Sequence, residues 1–478
     1  MIALGGISYF FPKEGVMALG QKISFPNLMT YLSPTENKKT DISQIVALAD
    51  AEDKISDGDT AKASVKQDTA VKKEINYLEV NDPSIKLITS IQYKDSAKTS
   101  LYNFFESLAA VLVEDKSIRI LHYGDSQIEG DRITDYLRQK LQTHFGGKGP
   151  GIVAAMPVTQ CVGLRQTYSD NWDRYNIFTM KDSRVKHSDY GVAAGFCRYC
   201  NYNDTSTVKN AWLKIKTTNA AGERFAAYNK VQLFYAASRK KTQIQFYEND
   251  VLKKTDTLST RGNFNITQFN LAQAPNTFEI KFEGKDSPDI FGLNLEGSDG
   301  GVMVDNFGLR GSSGTFFNQL NLQHLKLFYD YLNVKLIILQ FGGNTIPNIL
   351  DDKMAANFGE FLRAQINSIR KIAPGVSILV IGPADMSVKE GENYVTHPQL
   401  ENVRNAIRLA AFQTNCAFFD MYDCMGGKNS MVSWVDQGMA ATDYIHFSPA
   451  GARKIAVLLY SALMNDYNTF IKKKNNKI

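Results

Sequence analysis

Residues 121–128 read Leu-His-Tyr-Gly-Asp-Ser-Gln-Ile. An apolar run that stops at Gly124 predicts a strand followed by a sharp turn, which leaves Ser126 at the entrance to the next helix. A hydroxyl in that position is typical of a nucleophile, although a helix-capping serine fits it as well. Because serine is a weak nucleophile by itself, the stretch predicts catalysis only if the chain also supplies a base and hydrogen-bond donors for an oxyanion.

Later stretches of the chain supply those groups. Asp443 precedes His446 by three residues, which lets one loop bring a carboxylate to the imidazole nitrogen that faces away from the serine. Gly311 offers a backbone N–H and Asn344 a side-chain amide, the donors that a tetrahedral oxyanion needs. Each residue alone has an ordinary explanation as a turn or loop residue. Their joint occurrence in this order favours a hydrolase.

In this order the stretches resemble the SGNH (GDSL-type) hydrolase superfamily. The matching positions are Gly124-Asp125-Ser126, Gly311, Gly342-Gly343-Asn344 and the segment from Asp443 to His446. The resemblance implies a catalytic triad of Ser126, His446 and Asp443. It also implies an oxyanion hole formed by the backbone N–H groups of Ser126 and Gly311 and by the amide of Asn344. The chemistry needs no metal and no organic cofactor.

Residues around these positions have expected supporting roles. Thr345 stands where the family commonly has an acidic residue, which leaves the Asn344 donor intact but removes the usual support for it. Asp125 is expected to brace the nucleophile turn by accepting backbone N–H bonds, and Gln127 to support the site. Glu129 and Arg132 either line the pocket or bridge neighbouring elements.

The catalytic part of the chain alternates strands with helices. Val334 to Leu339 is an apolar run interrupted only by Lys335, which is typical of a parallel strand covered on both faces. Repetition of this alternation predicts a doubly wound parallel α/β sheet, flavodoxin-like, with ligands beyond the carboxyl ends of the strands. Leu101 to Val113 has apolar residues at helical spacing and predicts a helix packed on the sheet. Asp131 is expected to cap the helix that follows Ser126.

Residues 165–300 interrupt this alternation with period-two segments. Leu213 and Ile215 alternate with lysines, and Phe278, Ile280 and Phe282 alternate with charged residues. Short strands of this kind predict an inserted antiparallel β-sandwich. A sandwich resembling a carbohydrate-binding module at this point looks like the peptidoglycan O-acetylesterases and their bacterial relatives.

The predicted domain organisation has four parts. Residues 1–34 form an N-terminal segment and residues 35–85 a flexible polar linker. Residues 86–164 and 301–470 form the discontinuous catalytic domain, and residues 165–300 form the carbohydrate-binding-like insertion. Residues 2–11 are apolar but too few to span a bilayer, which takes ~20 residues. They are either the remnant of an export or anchor segment, which favours a cell-envelope, extracytoplasmic location, or a packed N-terminal strand.

Composition excludes several other classes of protein. The 478 residues carry a formal net charge of only +5, which is too mild to indicate nucleic-acid binding. Cys197 and Cys200 form a CxxC without a second pair or nearby histidines, so zinc is disfavoured. A local disulfide or two buried thiols both fit this pair.

The sequence therefore predicts a serine esterase that removes O-acetyl groups from a cell-wall or extracellular glycan, with peptidoglycan as the expected substrate. Two alternatives stay open at this stage. A glycan O-acetyltransferase would use the same triad, and a non-catalytic glycan-binding protein would not use it at all. The sequence makes no prediction of the oligomeric state.

Overall fold

The computed structural model describes residues 16–18, 21–23, 39–47, 75, 77–82, 85, 89–94, 99–113, 116–202 and 205–476. The strands are β1 (Val16–Ala18), β2 (Gln21–Ile23), β3 (Ser117–Gly124), β4 (Gly151–Val153), β5 (Leu164–Tyr168), β6 (Asp173–Asn176), β7 (Gly195–Arg198), β8 (Lys209–Thr217), β9 (Lys230–Tyr235), β10 (Thr242–Glu248), β11 (Val251–Thr257), β12 (Asn265–Asn270), β13 (Thr277–Gly284), β14 (Ile290–Glu296), β15 (Gly301–Gly308), β16 (Val334–Gln340), β17 (Ser377–Ile381), β18 (Ser387–Glu390), β19 (Asn393–Thr396) and β20 (Ala417–Phe419). The α-helices are α1 (Tyr102–Ala110), α2 (Thr134–Phe145), α3 (Glu223–Ala226), α4 (Leu322–Tyr331), α5 (Asp352–Ile372), α6 (Leu400–Gln413), α7 (Met421–Cys424), α8 (Ser430–Asp436) and α9 (Pro449–Asn475).

A parallel sheet carries the candidate site. Its strand order is β15-β3-β16-β17-β20, and each neighbouring pair is parallel. Counted along the chain, these strands are arranged 2-1-3-4-5, which is the flavodoxin-like order. The predicted doubly wound α/β fold is confirmed.

Both faces of this sheet are covered, which explains the continuous apolar runs of its strands. In β16, Leu336 and Ile338 face one buried cluster, to which α1, α2 and α9 contribute. Ile337 and Leu339 face a second cluster, to which α4, α5 and α6 contribute. The apolar side chains of β16 are therefore buried whichever face of the sheet they point to, and Lys335 is the one residue of the strand that is only partly buried.

The helices α1 and α2, which precede and follow β3 in the chain, can be compared with the helices predicted from the sequence. The apolar residues predicted to form one helix face between Leu101 and Val111 are buried, and α1 covers most of this stretch of sequence. The prediction that Asp131 caps α2 is wrong, because α2 begins at Thr134 without a side-chain cap. Asp131 has a positive φ of 70° and accepts a hydrogen bond of 3.0 Å from Nη2 of Arg138. A buried guanidinium one turn into the helix is a stronger partner for this carboxylate than a backbone N–H.

The insertion consists of antiparallel sheets, as predicted. One has the order β11-β10-β13-β8-β5 and the other β12-β9-β14-β7-β6, with β4 paired to β14. The period-two apolar residues of β8 and β13 are buried in the core between them. Alternation of buried and exposed residues therefore marked this β-rich region correctly.

A buried charge network joins the insertion to the parallel sheet. Arg119 on β3 binds Oδ1 of Asp305 at 3.0 Å and Oε2 of Glu296 on β14 at 2.6 Å. Both of its Nη atoms also contact Oδ1 of Asn294 at 3.2 Å. Loss of one partner would leave an uncompensated buried charge. The network therefore fixes the insertion against the catalytic sheet.

Part of the predicted linker 35–85 is described, and there the chain is packed. Ile42 and Ile45 are buried in the core, and the Ser433 hydroxyl donates to the Thr40 carbonyl at 2.7 Å. Local polarity predicted flexibility here because it does not reveal that two isoleucines find an apolar surface elsewhere. Within 1–34, β1 and β2 pair as an antiparallel hairpin. Residues 2–11 lie outside the described residues, and the domain boundaries stay predictions.

Candidate active site

The three strands that lead into the candidate site end side by side at the same edge of the parallel sheet. Gly124 at the end of β3 pairs with Gly308 of β15 and with Gln340 of β16. The segments that follow these strands carry Ser126, Gly311 and Asn344 respectively. The topology thus gathers residues separated by more than two hundred positions at the carboxyl edge of the sheet, where ligands of open α/β sheets bind.

The nucleophile turn is tight and buried. A Cβ on Gly124 would lie 2.9 Å from Cδ1 of Ile128 and 3.1 Å from the carbonyl oxygen of Gln340, so a larger residue would displace the turn. Asp125 follows, and its Oδ1 accepts the backbone N–H of Gln127 at 3.0 Å, which is the expected bracing contact. Burial raises the pKa of Asp125 to about 6. Ser126 then begins a short 3-10 helix.

The serine, histidine and aspartate selected from the sequence are in contact. The Ser126 hydroxyl lies 2.9 Å from Nε2 of His446, and Nδ1 of His446 lies 2.7 Å from Oδ2 of Asp443. A carboxylate on Nδ1 fixes the tautomer in which Nδ1 carries the proton and Nε2 accepts one. The histidine is therefore poised to take the proton of the serine hydroxyl.

The carboxylate of this trio is also held by its own loop. Oδ1 of Asp443 accepts the backbone N–H groups of Ile445 at 2.9 Å and of His446 at 3.0 Å. Partial burial works against ionisation, but these hydrogen bonds and the imidazole outweigh it, so the pKa of Asp443 is lowered. The aspartate is thus ionised at neutral pH and can stabilise an imidazolium.

The predicted oxyanion donors lie on adjacent loops. Gly311 has a φ of +80°, where a side chain would be strained, and the space around its missing Cβ is open. Nδ2 of Asn344 donates to the Ser312 carbonyl at 3.1 Å and approaches Oδ2 of Asp125 at 3.4 Å. Thr345 contributes nothing to this support, because its buried Oγ1 has no hydrogen-bond partner among the described residues. Ser312 and Asp125 therefore orient the amide.

Gln127 and Arg132 connect the serine turn to the histidine loop. Nε2 of Gln127 donates to the Ile445 carbonyl at 2.7 Å, and its Oε1 accepts the Phe447 N–H at 3.3 Å. Arg132 donates to the Ser126 carbonyl at 3.1 Å and to the Phe447 carbonyl at 3.3 Å. The backbone on both sides of His446 is thus bound by side chains that follow the serine. Of the two roles considered for Arg132, the structure gives the bridging one.

Glu129 has a bridging position on the other side of the turn. Its carboxylate accepts the single Nε–H of Arg310, shared between Oε1 at 2.8 Å and Oε2 at 3.0 Å, and an Nη2–H of the same arginine at 2.5 Å. It also accepts the Thr159 hydroxyl at 3.3 Å. Arg310 directly precedes Gly311. This ion pair therefore links the nucleophile turn to the loop of the second predicted oxyanion donor, and it also lines a cavity beside it.

His122 lies beneath the nucleophile turn in a hydrogen-bond chain. Its Nε2 lies 3.1 Å from Oε1 of Gln340 and its Nδ1 2.9 Å from the Thr134 hydroxyl, which itself accepts from Asn306 at 2.8 Å. Complete burial lowers the pKa of His122 to about 4. It is a neutral core histidine that ties together three strand ends.

Sequence reasoning missed an aromatic contact at the histidine loop. Tyr444, between Asp443 and His446, has a φ of +59°, a conformation that costs a bulky residue energy. Its ring stacks on Tyr394 with 3.7 Å between centroids, and its carbonyl accepts the Ser387 N–H at 3.0 Å. Both partners belong to the β18–β19 hairpin, which the strand–helix alternation did not reveal.

The cysteine pair and possible metal-binding clusters are the other groups that the sequence raised as ligand sites. Cys197 and Cys200 are both buried thiols and are not linked to each other in a disulfide, which is one of the two alternatives left open by the sequence. Burial raises the pKa of Cys197 to about 12. Within the ranges that the structure describes, no group of three or more His, Cys, Asp or Glu residues is placed to hold a metal ion. In the same ranges, no helix combines the length and apolarity that crossing a bilayer requires.

Comparison with known families and structures identifies the catalytic part. Residues 282–454 match the GDSL-like lipase/acylhydrolase family. The chain carries a GDSL-like domain. The match confirms the predicted resemblance and the predicted class of enzyme, a carboxylic ester hydrolase. It begins after the nucleophile turn, because the insertion separates Ser126 from the rest of the GDSL-like domain in the sequence.

Solved structures resemble the chain to different extents. A structure described as a peptidoglycan O-acetylesterase in action superposes with a TM-score of 0.62 at 22% identity and covers 79% of this chain and 99% of that one. A GDSL-like lipase from Parabacteroides merdae covers 34% of this chain and 74% of its own, at 14% identity and a TM-score of 0.25. A family two carbohydrate esterase from Clostridium thermocellum covers 63% and 98%, at 10% identity and a TM-score of 0.25. A search of curated proteins finds no match.

Proposed function

We propose that this chain is a serine esterase that removes O-acetyl groups from a glycan, with peptidoglycan as its substrate. The observation that carries the proposal is the continuous contact from the Ser126 hydroxyl through His446 to Asp443, at 2.9 and 2.7 Å. The proposed substrate is supported by the similarity of 79% of this chain to a structure described as a peptidoglycan O-acetylesterase, with a TM-score of 0.62. Such a substrate lies outside the cytoplasmic membrane, so we also propose an extracytoplasmic location.

In the proposed mechanism, His446 takes the proton of Ser126 while Oγ attacks the acetyl carbon. Asp443 holds the imidazole in orientation and stabilises its charged form. The carbonyl oxygen becomes an oxyanion, which accepts hydrogen bonds from the N–H groups of Ser126 and Gly311 and from the amide of Asn344. To donate there, the amide gives up its 3.4 Å contact with Oδ2 of Asp125 and keeps its hydrogen bond to Ser312. His446 then protonates the sugar oxygen as it leaves, and the acetyl group stays on Ser126 as an ester.

The second half of the reaction reverses these roles. Water enters, loses a proton to His446 and attacks the acetyl-serine, and the collapse of the second oxyanion releases acetate and restores the Ser126 hydroxyl. The open position of the histidine supports this step, because the side chain of His446 is 36% exposed and water reaches it directly.

The proposal is tested by acetate release from O-acetylated peptidoglycan and by turnover of p-nitrophenyl acetate. We expect both activities in the wild type and neither in Ser126→Ala. Ser183→Ala, which removes an exposed hydroxyl in the insertion, is the matched control and keeps both. Hydrolysis of p-nitrophenyl acetate without acetate release from peptidoglycan would overturn the proposed substrate. Transfer of acetyl to glycan acceptors without hydrolysis would overturn the proposed reaction.

A further inference from the structure

A cavity of about 340 Å³ lies between the parallel sheet and the inserted sandwich. This volume is in the range of small-molecule sites. Its lining includes Glu129, three residues after Ser126, and Arg310, the residue before Gly311. Because consecutive Cα atoms are ~3.8 Å apart, the Cα atom of Glu129 lies within ~12 Å of the Cα atom of Ser126. A group attached to a bound substrate can reach it.

The floor of the cavity is apolar and its mouth is open. The floor includes Ile152, Phe196, Ile290 and Phe291, which are all buried. At the mouth, Val158 is 47% exposed although it is apolar. The floor itself offers no hydrogen-bond partner to the hydroxyl groups around a sugar ring, although polar side chains such as Gln166 and Asn306 lie elsewhere in the lining. Aliphatic groups have no such requirement, so the floor favours a short aliphatic segment.

The charges of the lining leave one cation without a carboxylate. Glu129 pairs with Arg310, and Asp131 pairs with Arg138. Arg174 also lines the cavity and is exposed, and it has no ion-pair partner among the residues that the structure describes. The net charge of +1 that results is complementary to a single carboxylate on the occupant.

We propose that this cavity is a subsite for a short aliphatic peptide branch that carries a carboxylate, and that Arg174 binds that carboxylate. This inference rests on the proposed function and deepens it, since peptidoglycan strands carry short acidic peptides beside their acetylated sugars. The inserted sandwich then takes part in substrate selection by contributing Arg174 and most of the apolar floor. Acetylated glycans without peptide branches would leave the subsite empty.

The test compares O-acetylated peptidoglycan with the same material after an amidase has removed its peptides. We expect the wild type to have a kcat/KM about tenfold higher on the intact substrate, the scale of one charge-assisted hydrogen bond. Arg174→Ala should lose that tenfold on intact peptidoglycan and change less than about twofold on stripped glycan and on p-nitrophenyl acetate. Arg174→Lys should recover part of the loss.

Two further variants separate the subsite from general effects. Arg165→Ala removes an exposed arginine of β5 whose neighbour Gln166 lines the cavity while Arg165 does not, and it should behave like the wild type. Ala154→Trp fills the mouth from an exposed position and should reproduce the loss seen in Arg174→Ala. Equal kcat/KM on intact and stripped substrate, or an equal effect of Arg174→Ala on both, overturns the subsite but leaves the proposed function standing. Absence of acetate release from either, with p-nitrophenyl acetate still hydrolysed, overturns the proposed function and the subsite with it.

Discussion

The two sides of the candidate triad are built differently. The serine turn is buried, with His122 completely inaccessible and Asp125 only 5% exposed, and it continues directly from β3, an inner strand of the sheet. The side chains of Asp443 and His446 are 46% and 36% exposed and lie on a loop far from any strand of that sheet in sequence. The sheet fixes the proposed nucleophile, whereas contacts made by other loops have to fix the proposed base.

Those contacts come from two sources. Gln127 and Arg132 bind the backbone on either side of His446 from the serine turn. The β18–β19 hairpin supports the same loop through Tyr394, which stacks on Tyr444. The proposed base therefore takes its position from the serine turn and from the hairpin, and not from a strand of the parallel sheet. Variants in the serine turn and variants around the histidine loop should therefore lose activity in different ways.

The largest expected effect concerns the triad as a unit. We expect Ser126→Ala and His446→Ala each to lower kcat on p-nitrophenyl acetate by at least ~10³-fold, and the double variant to be no worse than either single one, because the groups act together. Initial rates of purified variants with equal melting temperatures measure this. If the decrease in kcat of the double variant equalled the product of the two single decreases, serine and histidine would act independently.

A second prediction concerns His122, which is buried beneath the serine turn, and the pH dependence of the protein's free energy of unfolding. The pKa of His122 is about 4 in the folded protein and ordinarily about 6.5, so the unfolded chain binds a proton first as the pH falls. The wild type should therefore lose stability between pH 6.5 and pH 4, by up to about 3 kcal/mol relative to His122→Gln. Denaturant unfolding of both proteins across this range measures the difference. A constant difference would contradict the burial of a neutral imidazole.

A third prediction concerns the connection between the two sides. Gln127→Ala should lower kcat by ~10²-fold with little change in KM, because a base displaced by about 1 Å costs that much. Gln139→Ala, an exposed glutamine on α2, serves as the matched control. A rise in KM at constant kcat would instead assign Gln127 to substrate binding.

The smallest expected effect concerns the hairpin. Tyr394→Ala removes the ring that stacks on Tyr444, and an aromatic pair contributes about 1 kcal/mol. We expect a fall in kcat of about fivefold and faster amide exchange at residues 443–446. Tyr394→Phe keeps the ring and should retain both properties. Equal losses in the two variants would assign the effect to the hydroxyl instead of the stack.

The sequence predicted what depends on local pattern. The spacing of apolar residues and the length of apolar runs identified the strand Val334–Leu339 and the inward residues of β8 and β13. The ordered motifs selected Ser126, Asp443 and His446, which the structure brings into contact. It could not predict the Arg119 network or the packing of Ile42, because these depend on partners more than a hundred residues away. The stack of Tyr394 on Tyr444 was missed because 50 residues separate the two rings in the sequence and no local pattern connects them. Asp131 was assigned wrongly because a propensity for capping does not reveal a competing arginine.

The central claim is that the serine turn positions the base, and a double-mutant cycle between Gln127 and His446 tests it most directly. The measurement is kcat on p-nitrophenyl acetate for the wild type, Gln127→Ala, His446→Ala and the double variant. If Gln127 acts through His446, its replacement costs ~10²-fold in the wild type and less than about twofold once the histidine is absent. A second loss of ~10²-fold in the His446→Ala background would contradict the account.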